Sequence, residues 1–134
     1  MKLLLTYGLA LMIFLVLDAV WLGYLCKDFY LSRMESIMLE RPRMGAAMLF
    51  YTIYVIGLMY FVILPALSTG GWQAAAVNGG LFGFFTYLTY NATAYAVIKR
   101  FDLGLAVVDV AWGSFIAATV SALTVLGIQW WDTP

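Results

Sequence analysis

Residues Leu3 to Leu17 read "LLLTYGLALMIFLVL", a continuously apolar run with no alternation of polar and apolar positions. A barrel strand would need that alternation and a polar lumen face, whereas leucine and alanine at this density suit a helix. A hydrocarbon core roughly 30 Å thick takes about 20 apolar residues of helix. The run extends far enough to meet this, and three more stretches do the same. The expected spans are Leu3–Cys26, Met44–Leu67, Ala74–Ile98 and Leu103–Leu126. Hydrophobic residues make up 65% of the 134-residue chain and charged ones only 10%, against about a quarter charged in soluble domains, so the solvent of this chain is a lipid bilayer. The sequence therefore predicts an all-α fold, a four-transmembrane-helix bundle forming a single integral membrane domain over residues 1–134. No small-x-small cleavage pattern closes the first run, so it is expected to stay as a span rather than leave as a signal peptide.

Composition also removes chemistries. There is no histidine, which excludes His-ligated haem, the common zinc and copper sites, and Ser-His or Cys-His catalysis. The single cysteine, Cys26, cannot form an internal disulfide. No lysine lies within a span to anchor a Schiff base. Net charge is zero and no polybasic tail is present, so nucleic acid is not an expected partner. No metal, cofactor or catalytic set is expected.

Lysine and arginine set the orientation, because short loops rich in them stay cytoplasmic. Lys27, Arg33, Arg41 and Arg43 lie between spans one and two, and Lys99 and Arg100 between spans three and four, while the other side holds only Lys2. Both termini and the "STGGWQ" turn at Ser68–Gln73 are thus expected outside. Trp72, Trp130 and Trp131 suit an aromatic belt at that interface. In the first loop, "KDFYLSRMESIMLERPR" at Lys27–Arg43, Phe29, Tyr30, Met34, Ile37 and Met38 alternate with charged residues at helical spacing. A short interfacial helix ended by Pro42 is one reading of it, and a solvated connector is the other. Pro65 removes a hydrogen bond where span two is about to end.

Two phrases carry the charges that matter. "LDAVWLG" at Leu17–Gly23 and "VDVAWGS" at Val108–Ser114 each place an aspartate three residues before a tryptophan. At 1.5 Å per residue, Asp109 lies ~9 Å and Asp18 ~12 Å from the cytoplasmic ends of their spans, with Trp21 at ~7.5 Å and Trp112 at ~13.5 Å. The two spans run antiparallel, so as neighbours they would set Asp18 level with Trp112 and Asp109 level with Trp21, a reciprocal brace of indole donors and carboxyl acceptors. Tyr51 and Tyr54, at i and i+3, share a face of span two. In "TYLTYNAT" at Thr86–Thr93, Tyr87, Tyr90 and Asn91 can share a face of span three. All four spans thus deliver polar groups to one slab of the cytoplasmic half, and the outer half is expected to be comparatively bare of them.

A charged aspartate at mid-bilayer costs at least ~2.5 kcal/mol, so each carboxyl must be protonated, hydrogen-bonded, or met by water or a cation. Two close carboxyls titrate as a pair. Asp18, Asp109, Asn91, Tyr51, Tyr54, Tyr87 and Tyr90 are accordingly the candidate ligand-binding or proton-linked residues, with Trp21 and Trp112 in support. A purely structural role, holding helices in register, is the competing reading. Gly79-x-x-x-Gly83 in span three and Gly113-x-x-x-Ala117-x-x-x-Ser121 in span four give the small-residue spacing of close helix packing.

"LDAVWLG", "GLFGFFTYLTYNATAYAVIKR" at Gly80–Arg100 and "VDVAWG" together resemble the bacterial domain-of-unknown-function 2177 family of small integral membrane proteins, over nearly the whole chain. The resemblance implies a four-helix bacterial inner-membrane protein and brings no activity with it. The family pattern "YDLTN" stands as "YNATA" at Tyr90–Ala94, so an acid is replaced by Asn91 and the polar pair after it is reduced to Thr93. Three functions compete: binding or transport of a small cation, proton or polar ligand in the slab, within a homodimer if a pathway is formed; an accessory or scaffold subunit of a larger membrane complex; and a lipid-modifying enzyme using the paired carboxylates of Asp18 and Asp109. The last lacks a nucleophile and is not favoured.

Overall fold

The computed structural model describes residues 2–21, 44–99 and 102–132. Every element among them is helical: α1 (Lys2–Val20), α2 (Met44–Leu58), a π-helical turn (Met59–Ile63), α3 (Leu64–Ser68), α4 (Gly71–Val97) and α5 (Leu103–Asp132). The expected interfacial helix at 27–43, Cys26 and the basic residues Lys27, Arg33, Arg41, Arg43 and Arg100 lie outside the described residues. So does the end of the first expected span, residues 22–26.

Three of these rods are long and apolar enough to cross a membrane, over Leu3–Val20, Met48–Ser68 and Leu103–Trp131. The fourth, α4, has 27 residues and so is about 40 Å long, ample in length. Its apolarity is diluted by Asn78, Thr86, Thr89, Asn91, Thr93 and three tyrosines.

The second rod is continuous through its π turn, because Leu58, Ile63 and Leu64 all keep right-handed helical dihedrals. Leu64 N–H reaches back to the Met59 carbonyl, one residue further than in an α-helix. Pro65 explains the widening: its ring crowds the carbonyl of the residue four positions earlier, and it has no N–H to offer. The proline therefore acts one turn upstream, beyond the loss of one bond near the helix end. Gly70 and Gly71 then reverse the chain with φ of 96° and 66°, a left-handed pair that side chains with a Cβ would resist. Asp102 begins α5 as an N-cap, its Oδ2 accepting the Leu105 N–H at 2.6 Å.

Among the described residues, the α4/α5 pair packs most extensively. Ala75, Gly79, Gly83, Asn91 and Ala94 are the buried residues of α4, a stripe at steps of three and four that faces Gly113, Ala117 and Ser121. A Cβ added at Gly79 would come within 2.7 Å of the Ala117 carbonyl and the Ser121 hydroxyl, and one at Gly83 would strike the Gly113 carbonyl. The small-residue spacing in the sequence is thus where the two backbones meet. Phe14, Val55, Leu58, Ile63, Ile116, Val120 and Val125 fill the centre of the bundle.

One expectation is corrected. The half of the bundle toward Lys2 and Asp132 was expected to be poor in polar groups, yet it buries Thr6, Ser121 and Thr124. Small hydroxyl residues fit a tight crossing as alanine does, with Ser121 filling the notch over Gly79. Their presence follows from packing space, which hydropathy does not register.

Candidate functional site

The polar slab assembles around Asp18. This residue, 7% exposed, accepts a short hydrogen bond on Oδ2 from the Tyr51 hydroxyl of α2. On Oδ1 it accepts from the Trp112 indole N–H of α5 at 3.3 Å. Both donors are neutral and come from different helices, so one carboxyl ties three elements together. Trp21 lies flat on Trp112, with ring centroids 4.2 Å apart and planes within 4°. The Trp112–Asp18 bond and this indole stack both join α1 to α5.

Asp109 is bonded from α4, where Asn91 Nδ2 donates to its Oδ2 at 2.8 Å. The same nitrogen donates to the Tyr87 carbonyl one turn back, also at 2.8 Å. A backbone carbonyl can only accept, so this bond fixes which way the carboxamide is turned. Asn91 is 1% exposed, and its Oδ1 is buried with no hydrogen-bond partner. Burying an acceptor that way costs about 1–3 kcal/mol.

The tyrosines line the space between these two carboxyls. Tyr54 donates to Thr86 Oγ1 at 3.0 Å, since the one Thr86 hydroxyl proton is spent on the Phe82 carbonyl at 2.8 Å. The Tyr87 ring covers Gly113, where any Cβ would collide with it, and meets Tyr54 edge-on at 6.0 Å. Phe14 of α1 packs against both Tyr51 and Tyr54. Tyr51 and Tyr87 each lie within electrostatic range of both Asp18 and Asp109.

Of the candidates, Asp18, Tyr51, Tyr54, Tyr87, Asn91, Asp109, Trp21 and Trp112 all take part in the network of contacts just described. Tyr90 is 58% exposed, at the edge of the buried stripe one turn before Ala94. Its neighbour Asn91 holds the inward position because Gly79, Gly83, Tyr87 and Asn91 follow at four-residue steps. Thr86, the partner of Tyr54, was not among the candidates. The available signal was its place three residues beyond Gly83 on that same stripe. Among the described residues, no group of three or more metal-ligating side chains is present.

The family model described as "Predicted membrane protein (DUF2177)" matches residues 3–126. The chain belongs to that family. The match spans the whole slab, from Asp18 to Trp112, and the family description specifies a membrane protein and no activity. Comparison with curated proteins and with solved structures gave no match. Within this DUF2177 member, then, function has to be argued from the slab itself.

Proposed function

We propose that this DUF2177 protein is a four-span protein of the bacterial inner membrane, with both termini periplasmic, whose polar slab binds a small cation or a proton. The α4 helix supplies the fourth crossing: it is long enough, and its polar side chains include the inward-facing Thr86 and Asn91. The lysine and arginine distribution supplies the orientation.

The observation that carries the binding role is the unpaired Oδ1 of Asn91 in a layer that already holds two carboxyls. Asp18 has a donor on each oxygen and serves as the fixed half of the site. Asn91, bonded to Asp109, is the half with a buried acceptor to offer a positively charged or hydrogen-bond-donating species.

The test is the thermal stability and tryptophan emission of the purified protein, titrated with sodium, potassium and lithium and, separately, with pH. Trp21 and Trp112 sit beside the site and report on it. A response to one of these ions that disappears in Asp109→Asn supports the role. Indifference to every cation and to pH, or an unchanged response in Asp109→Asn, ends it.

A further inference from the structure

Asn91 and Asp109 are complementary in a specific way. A carboxamide offers one N–H and one C=O side by side, and a neutral carboxylic acid offers one C=O and one O–H in the same arrangement. The two can close a ring of paired hydrogen bonds. In the structure one of those bonds is made, from Asn91 Nδ2 to Asp109 Oδ2 at 2.8 Å. The acceptor that the second bond needs, Asn91 Oδ1, is buried and unpartnered. The Tyr87 carbonyl holds the amide in the orientation that keeps this oxygen turned away from its own backbone contact.

We propose that the ligand of the slab is a proton, carried on Asp109 and read by Asn91. On loading, a hydronium ion from bulk water gives its proton to Asp109 Oδ1, an O–H bond forms, and a water molecule is released. The new O–H donates to Asn91 Oδ1 and completes the ring. On unloading, the proton returns to water and one bond remains. Asp109 is only partly buried, which gives the proton access, while the amide that reads it is buried. Among the described residues, Tyr51 from α2 and Tyr87 from α4 lie within electrostatic range of both Asp109 and Asp18. Asp18 is held by its two donors in either state, so the change is confined to the Asp109 side.

This inference rests on the proposed binding role of the slab, and the experiment separates the two. The chain contains two asparagines, Asn78 and Asn91, so selective isotope labelling of asparagine side-chain amides gives two signals in the protein reconstituted in lipid. Asn78 is exposed and serves as the internal reference. The Asn91 amide signal is expected to shift with pH while that of Asn78 stays. Infrared difference spectra should show a carboxylic-acid C=O band that titrates with the same midpoint, is absent in Asp109→Asn and persists in Asp18→Asn. Asn91→Leu should move that band to higher frequency as the ring is lost; the labelled wild-type amide gives the answer even if this variant does not fold. An Asn91 signal that follows sodium or potassium and ignores pH overturns the proton assignment and leaves cation binding standing. A titrating acid band with an unmoved Asn91 signal overturns the ring. No response to pH or to either cation overturns both.

Discussion

Asp18 and Asp109 sit in nearly the same phrase, an aspartate three residues ahead of a tryptophan, and the bundle uses them differently. Asp18 receives two hydrogen bonds from two other helices, through Tyr51 and Trp112. Asp109 is met by an amide whose own acceptor is left over. The difference arises from their neighbours: α1 faces a tyrosine and an indole, which can only give a proton here, whereas α5 faces a carboxamide, which both gives and takes. Nearly the same local sequence therefore yields a carboxyl held from two other helices in one place and one bonded by a carboxamide in the other.

The comparison breaks most completely if α4 is pushed away from α5. Gly83→Ala would set a methyl group on the Gly113 carbonyl and should lower stability by about 3 kcal/mol through overpacking, read from unfolding in mixed micelles by circular dichroism. Gly8→Ala, at a position with nothing within 4 Å, is the matching control and should not be destabilised. Asp18→Asn should cost about 2 kcal/mol in the same assay. Its single amide oxygen can take the Trp112 N–H, and its NH2 group is then turned toward the Tyr51 hydroxyl. Trp112→Phe removes the longer of the two Asp18 bonds and should cost about 0.5 kcal/mol. It should also abolish the near-ultraviolet dichroism of the stacked Trp21–Trp112 pair. The smallest change is expected from Asp109→Asn, which supplies an N–H to Asn91 Oδ1 and so imitates the loaded state. Its stability should match the wild type to within about 0.5 kcal/mol, and a loss as large as that of Asp18→Asn would erase the proposed distinction between the two aspartates.

Much of this architecture was legible in the sequence. The apolar runs located the helices among the described residues, and helical rise set Asp18 level with Trp112, whose indole N–H it accepts. The observed α4 begins at Gly71, three residues before the expected Ala74, and α5 runs on to Asp132 past the expected Leu126. In both cases polar residues at a helix end lowered the hydropathy without ending the helix. Rotation was harder to read. Most of these rods are apolar around much of their circumference, so no polar face announces which side is buried. The sequence thus showed that Asn91 could share the slab, and it took the four-residue stripe through Gly79 and Gly83 to turn Tyr90 outward and Asn91 inward. The bond from Asn91 to Asp109, which links α4 to α5, depends on that rotation.

The π turn at Met59–Ile63 bears on phase. The buried residues of the second rod recur at four-residue steps, as in Tyr54, Leu58, Val62 and Ala66. In an unbroken α-helix each such step overshoots a full turn by about 40°, and three steps would carry Ala66 well round from Tyr54. The wider turn takes back part of that drift and keeps one edge of the rod against the bundle along its length. Removing a single residue between Met59 and Ile63 would restore an ordinary helix with Ala66 still against the bundle, whereas straightening the turn at full length would rotate Ala66 and the turn beyond it out toward lipid.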